Sequence, residues 1–360
     1  MYSIDATVLK ETLTVMKKLT NRAPAHIMTF ARLVVCDGVV VLESFNGSTM
    51  ISRIIGHCDN QTGDVSFGLP ITQALSVLKP ANCLGMVVVE PGRMVVNGMS
   101  VTLDRCDVID PWPVSMSVVD SPVAVTREDM NRICDVAYAA SKDGSRFNLD
   151  TVCIDDSVAV STDGARLAHV NLSVSFGGDG GLIVINRDVV GLMAAMFGNK
   201  RDVTTMWSIF DDYLVVKSPS WTIRSERLSA YPEYKRVLME GNYEPERVYN
   251  VDRKQLLSAL KMIKPLTDKK DRSVRVSLKG NQMIISRNGS ECSVPTVLIS
   301  GKATDRSWLV NMMFLVDALS SGSDKIVSIA EYIERRIITV TNSDGSYGLI
   351  MLLYGSDQKK

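Results

Sequence analysis

VDRKQLLSALKMIKPL, residues 251–266, reads as an amphipathic helix. Leu256, Leu257, Leu260 and Ile263 recur at the helical period, and Arg253, Lys254, Lys261 and Lys264 are basic. Asp252 stands where an N-cap accepts the first unpaired backbone N–H groups. The same design opens at Ile4–Leu19, where Val8, Leu9, Leu13, Val15, Met16 and Leu19 are apolar, Lys10, Lys17 and Lys18 are basic, and Asp5 is the cap. It opens again at Val125–Ser141, with apolar Met130, Ile133, Cys134, Ala137 and Ala140, basic Arg127 and Arg132, and Thr126 as cap.

The text after each opening helix also repeats. Strand-like residues lead to a second apolar helix-like segment, at Ile71–Leu78, Arg187–Phe197 and Val310–Leu319. Hairpin strands then close each third, at Met86–Asp104, Thr204–Arg224 and Ile326–Tyr354. Turn pairs such as Pro91-Gly92, Asn97-Gly98 and Asp344-Gly345 sit between β-branched runs, as hairpins require. The period of roughly 120 residues is that of a whole domain and exceeds the ~20–50 residues of solenoid repeats. The expected class is α+β, with two helices on one face of an antiparallel sheet in each third. Proline-containing stretches at 111–113, Pro122 and 243–246 suggest domains at 1–120, 121–246 and 247–355, with a polar, disordered tail at 356–360.

The 360 residues are 46% hydrophobic and 22% charged, an ordinary globular balance that affords a core in each third. Lys+Arg and Asp+Glu both number 40, so any grip on nucleic acid must come from local positive charge. No run of about 20 apolar residues predicts a membrane span. The N-terminus reads as amphipathic helix rather than secretory signal, so a cytoplasmic location is expected. Cys36, Cys58, Cys83, Cys106, Cys134, Cys153 and Cys292 form no CxxC pair and read as reduced thiols.

Catalytic chemistry finds little support. His26, His57 and His169 are far apart, without carboxylate or cysteine at ligand spacing. No serine sits in a GxSxG elbow. The glycine run 176–181 lacks the Lys-Ser/Thr of a phosphate loop. Asp155-Asp156 and Asp211-Asp212 would point to opposite faces of a strand. The expectation is a protein that is not an enzyme and needs no cofactor or metal.

Ser161–Ala168, STDGARLA, resembles the ATDGHRLA stretch of bacterial sliding clamps, the beta subunit of DNA polymerase III. Tyr231–Leu238, YPEYKRVL, is similar to that family's FPDYRRVLP, and Arg146-Phe147-Asn148-Leu149 to its Arg-aromatic-x-Leu element. Tyr347–Tyr354 is placed like the family's apolar tail, and length and triplication also match. Ala165 replaces the usual His, Met239 and Met351 stand where the family tends to have Pro, and the C-terminus runs on. These departures suit a divergent bacterial member or one carried by a bacteriophage.

The resemblance implies a head-to-tail homodimer of three-domain chains, closed around duplex DNA with twelve helices lining the hole. Twelve helices ~10 Å apart give an axial diameter of ~38 Å and, less about one helix diameter of ~10 Å, a hole of ~28 Å. Phosphate contacts would come from Lys10, Lys17, Lys18, Arg22, Arg127, Arg132, Arg187, Lys200, Arg201, Arg253, Lys254, Lys261 and Lys264, although basic residues on helices are often only a solvated face.

A pocket for partner peptides is implied at Leu149, Thr162, Gly164, Arg166, Leu167, Pro232, Arg236, Val237, Leu349, Ile350, Met351 and Leu352, with Arg166 and Arg236 as rim donors. The competing view makes these an interdomain core. Val101, Leu103 and Leu266 are candidates for the dimer seam. The function implied is a processivity factor near the nucleoid. It would tether DNA polymerase and other replication or repair proteins and be opened by an ATP-driven clamp loader. The rivals are a monomeric peptide-binding adaptor and an enzyme with an interdomain cleft.

Overall fold

A computed structural model describes residues 2–21, 25–58, 65–79, 85–106, 122–144, 146, 148–177, 181–197, 203–238, 243–268, 270–302 and 305–353. The first set of elements is β1 (Tyr2–Asp5), α1 (Ala6–Thr20), β2 (Phe30–Cys36), β3 (Val39–Phe45), β4 (Thr49–His57), β5 (Val65–Pro70), α2 (Ile71–Leu78), β6 (Met86–Glu90), β7 (Arg93–Val96) and β8 (Met99–Thr102). The second is β9 (Val123–Val125), α3 (Arg127–Val136), β10 (Thr151–Asp155), β11 (Val158–Thr162), β12 (Arg166–Asn171), β13 (Ile183–Asn186), α4 (Arg187–Phe197), β14 (Thr205–Ile209), β15 (Tyr213–Lys217) and β16 (Trp221–Glu226). The third is β17 (Arg247–Asp252), α5 (Arg253–Ile263), β18 (Ser273–Lys279), β19 (Gln282–Arg287), β20 (Ser290–Ser300), β21 (Arg306–Asn311), α6 (Met312–Ser320), β22 (Ile326–Tyr332), β23 (Ile337–Thr341) and β24 (Tyr347–Met351). Strand, helix, four strands, helix, three strands therefore occur in that order three times.

Each opening helix starts as its cap dictates. Asp5 accepts from the N–H groups of Thr7 and Val8, Asp252 from that of Gln255, and Thr126 from that of Asp129. The strands β1, β9 and β17 that abut these helices escape a periodicity reading. They are short and run straight into the apolar face of the helix, so Ile4, Val125 and Val251 look like helix positions. Val310 is likewise the buried penultimate residue of β21, and the helix expected from it begins at Met312, behind the Asn311 cap.

Compactness groups the chain into two units, Met1–Asn131 with Asp188–Ser229 and Arg132–Arg187 with Ala230–Lys360. The units cut across the threefold repeat because neighbouring repeats share sheets. In the first unit, eight strands run in the order β5-β2-β3-β4-β16-β15-β14-β9, and β1-β6-β7-β8 form a separate sheet. In the second, twelve strands run in the order β13-β10-β11-β12-β24-β23-β22-β17-β20-β19-β18-β21. Both large sheets are joined the same way. The third strand of one repeat's four-strand run pairs antiparallel with the last strand of the next repeat, β4 with β16 and β12 with β24.

Helices cover these sheets with the faces their periodicity predicts. Leu9, Leu13 and Met16 of α1 are fully buried. Leu256, Leu260 and Ile263 of α5 pack into a core with Val276, Ile285 and Val294 from the sheet. Burying each such leucine contributes about 2 kcal/mol. Gly348 in β24 lets α6 sit close, since a Cβ there would fall 2.8 Å from that of Ala318 and 2.6 Å from the Tyr138 hydroxyl.

Candidate functional site

The Ser161–Ala168 motif forms the β11–β12 turn in the second unit. The Thr162 hydroxyl donates to the Arg166 carbonyl at 2.6 Å and accepts from the Gly164 N–H at 3.1 Å. One Asp163 oxygen accepts from the N–H groups of Ala165 and Arg166. Gly164 has φ +86°, which a side chain resists, and Leu149 Cδ1 lies 3.9 Å from where its Cβ would be. Arg146 donates to the Asp163 carbonyl at 3.0 Å, which ties its loop to the same turn. Met351 then reaches the turn from β24, its N–H donating to the Ala165 carbonyl at 3.0 Å. Leu149, Thr162, Gly164 and Met351 are thus brought together around one turn.

Beneath them lies a core of Leu167, Leu349, Cys153, Val160 and Tyr234, with Tyr231 and Leu238 packed against it. Leu167 faces Leu349 across the β12–β24 pairing and Arg166 faces Ile350. Leu167 and Leu349 are buried in this core, whereas Ile350, on the opposite face of β24, and Leu352 pack into the core under α5 and α6 and do not join it, a departure from expectation. Met351 and Val237 are exposed at 46% and 45%, and Leu149 and Pro232 are half-buried. The surface is apolar above and packed below, as a hydrophobic anchor requires.

Arg166 departs from expectation. It is 7% exposed, so it is no rim donor. It donates to Asp163 at 2.9 Å and to Asp317 of α6 at 2.6 Å, and its guanidinium lies 4.5 Å from the Phe314 ring and 5.6 Å from that of Tyr138. Such a paired, buried cation fastens the turn to α6. Arg236 is exposed and pairs with Glu233 at 2.7 Å. Nearby, Lys235 and the Tyr234 hydroxyl both meet one oxygen of Asp155. Burial alone would raise that carboxyl, but these two donors outweigh it and hold the group below its usual range.

The basic residues divide sharply. Lys10 and Lys18 on α1, Lys254 and Lys261 on α5, and Lys264 just beyond α5 are exposed, with Lys17 half-buried, and none forms an ion pair among the described residues. Glu11 on the same helix as Lys10 leans on Arg53 of β4. Arg187, Arg253 and Arg132 are instead spent on backbone carbonyls. Arg187 donates to those of Ala140 and Ser141, and Arg253 to those of Leu319, Gly322, Ser323 and Asp324. Arg132 donates to that of Asn171 and pairs with Asp344 at 3.4 Å. Arg127 is half-buried beside a cavity of about 420 Å³ with Glu128 and Asn131. The exposed charges of α3 are Glu128 and Asp135, so the basic surface expected of all three opening helices holds for α1 and α5 only. Partial shielding from water lifts the Asp135 carboxyl to about 6. Arg22, Lys200, Arg201, Phe147, Met239 and the 356–360 tail lie outside the described residues.

Of the seam candidates, Val101 is half-buried on β8, and Leu266 is exposed with its carbonyl held by Asn288 at 3.3 Å, at the β19–β20 turn. Leu103 is buried inside its own unit and is a core residue rather than a seam residue. Among the described residues no three metal-binding side chains converge. His169 is buried and stacks on Tyr347 at 4.9 Å. No helix is long and apolar enough to cross a membrane.

Solved structures match this architecture along nearly the whole chain. A sliding clamp (DNA polymerase III subunit beta) from Bartonella birtlesii, bound to griselimycin, superposes with TM-score 0.86 at 16% identity, covering 98% of this chain and 99% of that one. This chain has the DNA sliding clamp fold. A DNA polymerase sliding clamp from Pseudomonas aeruginosa gives 0.81 at 17% identity over 98% and 99%. DNA polymerase III subunit beta from Borrelia burgdorferi gives 0.82 at 15% identity over 98% of each chain. In sequence, a beta sliding clamp from Treponema pallidum is 25% identical over 177 residues, 46% of this chain. That match spans 45% of the relative's length. No protein-family model matches. The clamp fold accounts for the threefold element order and the shared sheets.

Proposed function

We propose that this protein is a DNA sliding clamp, a non-catalytic processivity factor that encircles duplex DNA as a head-to-tail dimer. One observation carries the reading, the way the repeats are zipped together. The seam rule that joins β4 to β16 and β12 to β24 leaves β20 as the third strand awaiting a partner and β8 as the last strand awaiting one. Over Ser290–Pro295, β20 pairs with β19 alone among the described residues, and β8 pairs with β7 alone. Open edges invite strand addition, and a second copy supplies both missing pairings at once. Val101 on β8 and Leu266 beside the β19–β20 turn flank these edges.

The exposed lysines of α1 and α5 would meet phosphates without reading bases, which gives sequence-independent, salt-sensitive contact. The apolar surface around the β11–β12 turn would hold peptides from a DNA polymerase and other replication or repair proteins. Tethering then acts through effective concentration. An ATP-driven loader is needed to open the ring, and the chain works in the cytoplasm near the nucleoid. The domains of this reading are 1–120, 121–246 and 247–355.

The test is retention on DNA. The protein is loaded by a clamp loader onto nicked circular DNA, the salt is raised and the circle is then cut. Retention on the circle in high salt, followed by release on cutting, is the expected result. Loss from the circle in salt, with loading independently confirmed, would falsify encirclement.

A further inference from the structure

The two seams inside the chain share a register as well as a strand order. Each starts at a tight turn, Gly47-Ser48 between β3 and β4 and Gly164-Ala165 between β11 and β12, closed by Asn46 with Thr49 and by Asp163 with Arg166. The residue just after the turn faces the penultimate residue of the incoming strand, Thr49 opposite Ser225 and Arg166 opposite Ile350. The last residue of that strand donates its N–H to the second turn residue, Glu226 to the Ser48 carbonyl at 3.1 Å and Met351 to the Ala165 carbonyl at 3.0 Å. Asn288-Gly289 forms the corresponding turn between β19 and β20, with Arg287 opposite Ser290. Carried over to the two open edges, the rule sets Ser290 opposite Val101, the penultimate residue of β8, and gives the Gly289 carbonyl to the Thr102 N–H. Glu291 then faces Ser100, and Cys292 faces Met99.

The backbone of both edges is set for that register. Alternate residues of an antiparallel strand turn their N–H and C=O groups to the same side. In β20 the Thr296 N–H bonds the Asn281 carbonyl at 2.9 Å, so Ser290, Cys292 and Val294 face β19, and the groups of Glu291 and Ser293 point to the open edge. After β8 the Leu103 N–H bonds the Gly92 carbonyl at 2.9 Å, so Met99 and Val101 face β7, and the groups of Ser100 and Thr102 point out. A slip of one residue would set outward groups against inward ones. Side chains agree with the pairing. Met99 is 65% exposed and would come to lie on half-buried Cys292. On the other face, Arg93 of β7 reaches over β8, its Nε donating to the Ser100 hydroxyl at 2.7 Å. Its guanidinium is exposed, with Glu90 at 3.6 Å. Glu291 is exposed and has no ion pair among the described residues.

We infer that two copies of the chain join in this register, and that Arg93 of one copy closes an ion pair with Glu291 of the other. The inference rests on the dimer reading above and fixes how its two edges meet. Glu291 arrives as the cross-strand neighbour of Ser100, the residue over which Arg93 lies. The guanidinium is already oriented by the Ser100 hydroxyl, and a carboxylate completes it through a charge-assisted hydrogen bond. Closure through both edges forms the pair twice. The charges also choose the direction of assembly. Pairing β20 with a second β20 would bring Glu291 against Glu291, and pairing β8 with a second β8 would bring Arg93 towards Arg93. Only unlike edges join opposite charges, so each copy must offer β8 to the β20 of the next.

Met99→Cys sets a thiol opposite the native Cys292, at a cross-strand pair close enough for a disulfide. Val101→Cys reports a slip of two residues instead. Each full-length variant, with its fold checked by circular dichroism, is oxidised mildly with copper phenanthroline and run on a gel without reductant. Covalent dimer should form about tenfold faster in Met99→Cys than in Val101→Cys, as the geometric demands of a disulfide require, and should vanish when Cys292→Ser is added. Equal or faster cross-linking of Val101→Cys, no covalent dimer in either variant, or a cross-link that survives Cys292→Ser would overturn the register while leaving the dimer intact. Arg93→Gln and Glu291→Gln should each speed partner exchange between fluorescently labelled copies about fivefold, and the double variant should exchange no faster than either. Additive effects, or none, would overturn the ion pair. A monomer by light scattering of the unchanged protein would overturn the dimer reading itself, and this inference with it.

Discussion

α5 and α3 hold the same place in their repeats and present opposite charge. The α5 segment turns Lys254, Lys261 and Lys264 to solvent, with its arginine spent on carbonyls at the end of α6 and just beyond it. α3 shows Glu128 and Asp135, and its Arg132 is held by Asn171 and Asp344. A repeat thus fixes where a helix sits without fixing the charge it shows. On the clamp reading, phosphate attraction is concentrated on some helices and weak on others. That suits a ring meant to slide, because evenly spread strong contacts would pin it.

The sharpest way to break this comparison is charge reversal on α5. Combining Lys254→Glu, Lys261→Glu and Lys264→Glu should lower low-salt affinity for a short duplex about a hundredfold and flatten the salt slope by roughly two to three units. Unchanged anisotropy titrations would remove α5 from the DNA surface. Arg132→Ala on α3 should behave differently, costing about 1 kcal/mol in urea unfolding and shifting DNA affinity less than about twofold, because its donors are already satisfied inside the fold. A large affinity loss there would make Arg132 a phosphate contact after all. Glu128→Lys with Asp135→Lys should strengthen binding about fivefold, by making α3 resemble α5.

The smallest effect concerns pH. With the Asp135 carboxyl raised to about 6, lowering the pH from 7 to 5 removes one negative charge from α3. DNA affinity should rise about twofold beyond the change seen in Asp135→Asn. Stability moves in the same direction, because the folded chain holds this proton more tightly than the unfolded one. Asp135 favours the folded chain fully below the ordinary carboxylate range, and this benefit is lost as pH rises through about 6. Asp135→Asn should therefore be the more stable protein at pH 7, as thermal melts in the two buffers would show.

The sequence disclosed what local rules govern. The caps Asp5, Thr126 and Asp252 and the buried faces of α1 and α5 follow from spacing alone, and so did the repeat. The roles of the arginines did not. Arg166 finds Asp317 at a separation of 151 residues, and Arg253 finds carbonyls about 70 residues away, which every residue type can supply. Spacing cannot distinguish such an arginine from one facing water. At the β11–β12 turn, Thr162 and Gly164 were legible through the resemblance of STDGARLA to the clamp motif, and the turn they build is local. The clip through Asp317 and Phe314 required the third repeat to be folded first. The short strands β1, β9 and β17 were missed because three to six residues cannot declare a period of two when a helix follows at once.

The place of β24 in its sheet bears on how the chain is made. Its partners β12 and β23 flank it, so the last of the described strands fills an interior position. The first unit has all its described strands once residue 226 has left the ribosome. The second must hold β10–β13 in waiting until residue 351 emerges. During that interval β12 offers an open edge to any strand nearby. The surface around the β11–β12 turn is therefore complete only once β24 has been made, and a chain broken off before Tyr347 has no strand with which to build it.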